Sequence, residues 1–328
     1  MDLDDDRRAL VLGGTGYIGR HVCAAFAEGG YRVTAVARRA RRLPRGGRLR
    51  IMDLSRVSVG ELSRLFADER PDVVVNATGM VWGMDEQAML DLNVRLLERI
   101  VGALGASEPA PRFVQFGSTR EYAPAPHGVS LDEDAPLGPI DAYGRSKLAA
   151  TRAVLATCAE GALRGVVLRV GNVAGPGAPA GSLLGSVAGQ LLAAADAGGP
   201  AVVELHPLRA RRDYVDVRDV ARAVLLAAES DVSGEVLNLG SGTAVPVRTL
   251  VDLLVEASAI PTRIVERAPD ASGAPTRTDI PWQQTDASRA GAVLGWCPRR
   301  SLREAVRDFW LDSVARRERA AAVQPPGE

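Results

Sequence analysis

The stretch AYGRSKLAA, residues 142–150, contains the only lysine of the chain, four residues after Tyr143. Lysine and arginine together number 40, so every other basic side chain is an arginine. A solvated helix position is the plain alternative, but solvation does not favour lysine over arginine so selectively. We therefore predict that Lys147 serves chemistry.

A tyrosine and a lysine at this spacing are suited to proton transfer. A helix places Tyr143 and Lys147 on one face, one turn apart. A phenol with a pKa of about 10 is a poor acid–base group at neutral pH, and a neighbouring ammonium favours the phenolate. We expect Lys147 to lower the pKa of Tyr143 toward the operating pH, as general acid–base catalysis requires.

A glycine-rich motif lies near the amino terminus. The stretch VLGGTGYIGRH places Gly13, Gly16 and Gly19 at the junction of a predicted first strand and first helix. Glycine is needed where the backbone turns tightly and where a pyrophosphate approaches a helix N-terminus. Because the triad has this strand–turn–helix context, we interpret it as a dinucleotide-binding motif and not as a plain turn.

The end of the predicted second strand indicates which dinucleotide binds. An NAD site places a carboxylate there for the ribose 2′-hydroxyl, but this chain has Ala37 followed by Arg38 and Arg39. Guanidinium groups suit a 2′-phosphate, so NADP(H) is the predicted cofactor, with a surface arginine pair as the alternative. Asp53, after the third strand, either accepts from the adenine amino group or caps a turn.

The elements that must hold these motifs alternate along the first half of the chain. Short β-branched runs precede and follow helical patterns at about 17–29, 60–68, 85–104 and around Lys147. Near-continuous apolar strands separated by helices predict an α/β fold with a doubly wound parallel sheet of the Rossmann type. We assign residues 1–170 mainly to the NADP(H)-binding domain. Residues 171–318 form mainly a smaller C-terminal substrate lobe that partly returns to the sheet, and 319–328 a disordered tail.

Composition excludes several classes of function. Forty acidic residues balance forty basic ones, so no net charge favours nucleic acid or an anionic membrane. The three cysteines are far apart and the three histidines lack ligand spacing, so we predict no metal site and a reducing compartment. No apolar run reaches about 20 residues, and the charged start MDLDDDRR is unlike a signal peptide, so we predict a cytoplasmic protein.

Taken together, these motifs resemble the extended short-chain dehydrogenases/reductases that act on nucleotide sugars. The resemblance runs from GGTGYIG at 13–19 to DASRAGAVLGW at 286–296. Through RRDYVDVRDVARAV and GEVLNLGSG, the chain is most similar to reductases of NDP-4-keto-6-deoxyhexoses, including GDP-6-deoxymannose reductases. The resemblance implies a homodimer, and the apolar stripes Leu92–Leu96–Ile100 and Leu148–Leu155 are predicted to pair across a two-fold axis or else to cover the sheet.

The resemblance also implies the site residues. Ser118, Tyr143 and Lys147 are the catalytic set: Ser118 donates to the substrate carbonyl oxygen, and Lys147 also holds the nicotinamide ribose, which arginine's rigid fork does less well. The residues assigned to the cofactor are Gly13, Thr15, Gly16, Tyr17, Ile18, Gly19, Arg38, Arg39, Asp53, Leu54, Ala77, Thr78, Asn93, Tyr143, Lys147, Val170 and Val173. Those assigned to the substrate are Ser118, Thr119, Asn172, Arg212 and Arg277, the arginines because guanidinium fits phosphate.

Departures from the family pattern narrow the reaction. The 4,6-dehydratases carry acidic residues directly after the strand-end hydroxyl, where this chain has Thr119 and Arg120, with Glu121 one place later. Gly117 stands where the family commonly has a first hydroxyl residue. We predict an NADPH-dependent ketoreductase of a dTDP- or GDP-4-keto-6-deoxyhexose. The alternatives are a ketoreductase of a non-sugar natural product, a nucleotide-sugar 4-epimerase, and a non-catalytic NADP(H) sensor.

Overall fold

The computed structural model describes residues 7–40, 43, 46–79, 86–267 and 280–323. The strands are β1 Arg8–Leu12, β2 Arg32–Ala37, β3 Arg48–Ile51, β4 Val73–Asn76, β5 Arg112–Ser118, β6 Ser130–Leu131, β7 Gly165–Val170, β8 Asn172–Ala174, β9 Ala201–Leu205, β10 Arg211–Asp216, β11 Glu235–Leu239, β12 Ala244–Pro246, β13 Thr262–Glu266 and β14 Trp282–Thr285. The helices are α1 Tyr17–Glu28, α2 Val59–Glu69, α3 Glu86–Leu90, α4 Leu96–Leu104, α5 Ala142–Ala159, α6 Leu183–Asp196, α7 Val217–Glu229, α8 Val247–Ser258, α9 Ser288–Leu294 and α10 Leu302–Val323.

Seven parallel strands form the main sheet, in the order β11-β7-β5-β4-β1-β2-β3. Every residue of β4, β5 and β7 is buried, because helices cover both faces of the sheet. Helices α1 and α7 pack on one face, and α2, α4 and α5 pack on the other. This confirms the predicted Rossmann-type α/β fold. The chain changes direction across the sheet at β1, so ligands are expected at the carboxyl end of that strand.

The strands that follow residue 171 build mostly smaller sheets. β12, β10, β14 and β6 lie side by side, β8 pairs with β10, and β13 pairs with β9. Helices α6, α8 and α10 enclose a separate apolar core with β9. β11 belongs instead to the main sheet, where it pairs with β7. Helix α10 continues to Val323, so it includes the first residues of the stretch predicted as a disordered tail.

The region predicted as one helix over 85–104 is interrupted. A π-helical turn, Asp91–Arg95, separates α3 from α4.

The apolar stripes predicted for a dimer interface are partly buried within the chain. Leu96 and Ile100 are fully buried in the core under the main sheet, and Leu148 is 6% exposed. Leu96 and Ile100 therefore cover the sheet of their own chain, the alternative left open by the sequence, whereas Leu92 and Leu155 are half-buried. The homodimer itself stays a prediction.

Within the described residues, no helix combines the length and apolar character needed to cross a membrane.

Candidate active site

The predicted catalytic residues meet where β5 ends and α5 begins. Ser118 ends β5, and a 3₁₀ turn, Thr119–Glu121, follows it directly. Asp141 caps α5 by accepting from the Gly144 amide at 2.7 Å, which starts the helix immediately before Tyr143. A Cβ on Gly144 would lie 2.3 Å from the carbonyl oxygen of Arg120. Glycine therefore allows α5 to approach the end of β5 closely.

Ser118 and Tyr143 interact directly through their side chains. Ser118 is 6% exposed, and its hydroxyl forms a hydrogen bond with the Tyr143 side chain that lowers the pKa of the phenol. The Ser118 oxygen also accepts from the Arg120 amide at 3.2 Å, which fixes the serine side chain. Two hydroxyl groups are thus held side by side at the end of β5, as the resemblance implied.

Lys147 lies one turn further along α5 and is 4% exposed. Its Nζ donates to the Phe116 carbonyl oxygen at 3.1 Å and lies 5.9 Å from the centroid of the Tyr143 ring. Burial lowers the pKa of Lys147 to about 8, against the opposing effect of the Glu121 carboxylate. The lysine is therefore held in place by the strand and remains an ammonium at neutral pH.

The net shift of the Tyr143 pKa is opposite to the expected one, and Lys147 is not among its causes. Burial of the Tyr143 hydroxyl raises the pKa of the phenol to about 12, and the Glu121 and Asp141 carboxylates raise it further. Desolvation disfavours the phenolate more than the hydrogen bond from Ser118 favours it. In this structure Tyr143 is a phenol at neutral pH, which suits it to give a proton and not to take one.

The glycine motif brings three backbone segments together. Gly13 adopts φ +77°, and a Cβ there would lie 2.8 Å from the Ala77 carbonyl oxygen. A Cβ on Gly19 would lie 2.3 Å from the Gly13 carbonyl oxygen. Helix α1 starts after Gly16 with no side chain capping its first turn, so its amides can bind a ligand. This N-terminus fits a dinucleotide pyrophosphate.

The carboxyl end of β2 presents the predicted 2′-phosphate residues to solvent. Arg38 and Arg39 are exposed directly after β2. Asp53 is exposed, and its Oδ1 accepts from the Ser55 amide at 3.1 Å and from the Ser55 hydroxyl at 2.7 Å. Asp53 thus caps a turn, the alternative left open by the sequence. Leu54 beside it is 6% exposed.

Asn93 carries an unsatisfied buried atom beside the catalytic lysine. Its Nδ2 donates to the Ser146 hydroxyl at 3.0 Å, but its buried Oδ1 has no hydrogen-bond partner among the described residues. A Cβ placed on Gly79 would lie 3.4 Å from both this Oδ1 and the Lys147 Nζ. An acceptor and a donor therefore face the same small space, which fits a ligand hydroxyl such as that of a ribose.

The other residues assigned to the cofactor lie in or directly after strands β4, β7 and β8 and at the start of α1. Ala77 and Thr78 follow β4, Val170 ends β7, and Val173 lies in β8. Thr15 and Ile18 flank the start of α1. Tyr17 is the first residue of α1, and its hydroxyl donates to the Gly175 carbonyl oxygen at 3.3 Å. The Tyr17 side chain thus supports the segment after β8.

A polar chain links the catalytic turn to the C-terminal lobe. The Gln283 amide donates to the Thr119 hydroxyl at 3.0 Å, and its oxygen accepts from Asn172 at 3.2 Å. Asn172 also donates to the Asp213 carbonyl oxygen at 3.1 Å. Arg212 follows Arg211 in β10, half-buried on the lobe. Arg277 lies outside the described residues.

Sequence reasoning missed three buried polar residues of this region. Gln283 is 3% exposed and joins two residues that were assigned to the substrate. Glu121 and Arg169 form a buried ion pair, with Oε2 and Nε 2.8 Å apart. In the sequence, Glu121 is notable only because it follows directly after positions 119 and 120, where the dehydratases carry acidic residues. Nothing in the spacing indicated that it pairs with Arg169.

The sequence matches a known protein family over most of its length. The profile of the NAD dependent epimerase/dehydratase family matches residues 9–240. The chain belongs to this family. It is 46% identical over 304 residues to dTDP-6-deoxy-L-talose 4-dehydrogenase (NAD(P)(+)) from Kitasatospora kifunensis, with 92% of this chain and 94% of that protein covered.

More distant relatives include other enzymes named for nucleotide sugars. GDP-6-deoxy-D-mannose reductase from Pseudomonas aeruginosa is 25% identical over 315 residues, which covers 94% of this chain and 98% of that one. The crystal structure of UDP-glucose 4-epimerase with UDP-glucose from Thermotoga maritima has a TM-score of 0.82 at 24% identity, covering 94% and 99% of the two chains, and shows the shared fold. The predicted family and the enzyme class, oxidoreductase, are confirmed.

Proposed function

We propose that this epimerase/dehydratase family member reduces the C4 ketone of a nucleotide-activated 4-keto-6-deoxyhexose with NADPH, and that the nucleotide is dTDP. The sugar class and its carrier are supported by the 46% identical relative, whose name gives a dTDP-6-deoxyhexose and position 4. Reduction of the ketone is the reverse of the dehydrogenation in that name. The preference for NADPH is supported by Arg38 and Arg39 at the end of β2 and by the lack of a carboxylate there.

The observation that carries the proposal is the Ser118–Tyr143 pair with Lys147 buried beside it. Tyr143 is protonated at neutral pH because its pKa is about 12. In the reaction it gives that proton to the ketone oxygen as negative charge develops there, while Ser118 donates a hydrogen bond to the same oxygen. Lys147, an ammonium at neutral pH, stabilises the phenolate left behind.

The residues present fit a nicotinamide dinucleotide. The first turn of α1 would hold the pyrophosphate, Arg38 the 2′-phosphate, and Asn93 with Lys147 the nicotinamide ribose. When bound, the nicotinamide supplies the hydride that reduces the ketone carbon. The unsatisfied Asn93 Oδ1 beside Lys147 is the feature of this chain that most directly supports a ribose there.

Glu121 argues against dehydration as the reaction. Its Oε1 accepts from the Ser118 amide at 2.7 Å and its Oε2 accepts from Arg169 at 2.8 Å. Both oxygens are occupied and the side chain is fully buried, so this carboxyl cannot protonate a leaving hydroxyl on a sugar. Ketone reduction needs no second acid, and Ser118, Tyr143 and Lys147 are sufficient for it.

A substrate panel tests the proposal. NADPH absorbance is followed with the purified enzyme and a dTDP-4-keto-6-deoxyhexose, its GDP counterpart or a non-sugar ketone, with Tyr143→Phe as the background. We expect rapid NADPH loss with the dTDP sugar alone. Loss only with the GDP sugar would contradict the nucleotide, and loss only with the non-sugar ketone would contradict the substrate class. Interconversion of nucleotide sugars at C4 without loss of NADPH would indicate a 4-epimerase. Binding of NADPH without turnover of any substrate would indicate a non-catalytic sensor.

A further inference from the structure

A buried ion pair lies directly behind the catalytic serine. Glu121 is fully buried and Arg169 is 3% exposed. Arg169 holds one carboxylate oxygen at 2.8 Å and donates to the Tyr122 hydroxyl at 3.0 Å, and that hydroxyl donates to Asn238 at 2.8 Å. The other carboxylate oxygen accepts from the Ser118 amide at 2.7 Å. The carboxylate is therefore anchored at one end and holds the backbone of Ser118 at the other.

The glycine before Ser118 is explained by this carboxylate. A Cβ on Gly117 would lie 2.7 Å from Glu121 Oε1, 3.0 Å from the Val167 side chain and 3.1 Å from the Arg169 side chain. A hydroxyl residue at position 117, the type that the family resemblance predicts, has no room while Glu121 occupies that space. Gly117, Glu121 and Arg169 therefore form one packed unit at the end of β5.

Stability alone is a weak reason for such a pair. Desolvation of two buried charges offsets most of their attraction, and apolar residues of similar volume often stabilise a core as well or better. The negative charge of Glu121 also lies close to the proposed catalytic groups. Lys147 Nζ contacts the Phe116 carbonyl oxygen at 3.1 Å, two residues before the Ser118 amide that Glu121 holds. The Glu121 carboxylate raises the pKa of both Lys147 and Tyr143. The other charged groups acting on Tyr143 are Arg120 and Asp141.

We propose that Glu121, anchored by Arg169, is a positioning residue for the reaction: it fixes Ser118 at the end of β5 and presents a buried negative charge to Lys147. The role in turnover rests on the proposed ketone reduction, whereas the action on Lys147 does not. Loss of the charge leaves Ser118 less constrained and lets Lys147 lose its proton at lower pH.

The single lysine allows a direct measurement that needs no substrate. Protein labelled with ¹³C at lysine Cε gives one lysine resonance, whose pH titration reports Lys147 alone. We expect a midpoint of about 8 in the wild type and a lower midpoint in Glu121→Gln. The matched control is Glu69→Gln, which removes another buried glutamate whose Oε1 pairs with Arg50 at 2.5 Å and should leave the midpoint unchanged. An unchanged midpoint in Glu121→Gln overturns the proposal.

Kinetics test the positioning of Ser118. With a ketone that the wild type reduces, Glu121→Gln should lower kcat about 10- to 100-fold, as small misplacements at a reacting centre do. Its Kd for NADPH should change less than kcat, because the first turn of α1 and Arg38 are untouched. Gly117→Ala keeps every charge but displaces the carboxylate, so kcat should fall in it too. Wild-type kcat in both variants overturns the proposal.

Two experimental failures can also be interpreted: a variant that does not fold, and a wild type that reduces no ketone. If Glu121→Gln fails to fold because Arg169 is left unpaired, Glu121→Gln/Arg169→Gln removes both charges, and its kcat must fall by a similar factor or the proposal is overturned. If the wild type reduces no ketone in the panel, the proposed function fails, while the lysine titration still decides the action of Glu121 on Lys147.

Discussion

At the scale of single residues, the proposed reaction depends on the compact ammonium group of Lys147 and on the phenol of Tyr143. Lys147→Arg keeps the charge but replaces a compact head with a planar fork. Tyr143→Phe keeps the ring and removes the proton donor. We expect each change to lower kcat by about 10²- to 10⁴-fold, with Tyr143→Phe at least as damaging.

The two losses should not add in the double variant, because both remove one proton-transfer unit. Circular dichroism with thermal unfolding checks that the variants fold. A kinetically silent Lys147→Arg in an enzyme that reduces its ketone would show that the lysine is an accident of composition.

We propose that Arg38, another single residue, determines the preference for NADPH. Its guanidinium is exposed after β2, where a 2′-phosphate would lie, and a lost charge-assisted hydrogen bond costs about 1.5–3 kcal/mol. Arg38→Ala should therefore reduce the ratio of NADPH to NADH affinity by about 10- to 100-fold. Fluorescence titration with both cofactors measures it. An unchanged ratio would remove Arg38 from the cofactor site.

At the scale of elements, the site depends on how closely α5 approaches the turn after β5. Gly144→Ala places a methyl group 2.3 Å from the Arg120 carbonyl oxygen, so the helix or the turn must shift. We expect kcat to fall by about 10²-fold while NADPH still binds, because the glycine motif of α1 is distant from this contact. Stopped-flow turnover and NADPH titration separate the two effects. Equal losses in binding and turnover would point to general unfolding instead.

Secondary-structure elements could be predicted from the sequence better than tertiary contacts or pKa shifts. Strands such as VVVN in β4 were predictable because parallel strands buried on both faces read as apolar runs. The π-helical turn Asp91–Arg95 was not, because the segments on both sides of it are helical and a single such turn has no residue pattern of its own. The Glu121–Arg169 ion pair could not be predicted from the sequence, because only the tertiary fold brings these two residues together. The sign of the Tyr143 pKa shift was hidden because burial cannot be read from a spacing of four residues.

At the scale of the whole molecule, a homodimer is expected from the family resemblance alone. Leu96, Ile100 and Leu148 of the predicted apolar stripes are buried within the chain. Light scattering at micromolar concentration should give twice the 34.6 kDa mass of one chain. A single species at the mass of one chain would contradict the dimer.

We propose that this protein transfers a hydride from NADPH to C4 of a dTDP-activated keto sugar while Tyr143 supplies the proton. The most direct measurement uses NADPH with deuterium on the transferable position of the nicotinamide, and mass spectrometry with NMR of the sugar product. We predict one deuterium per product molecule, bonded to C4, formed in step with NADPH consumption and abolished to background in Tyr143→Phe. A C4 alcohol without deuterium, or deuterium at another carbon, would contradict the account.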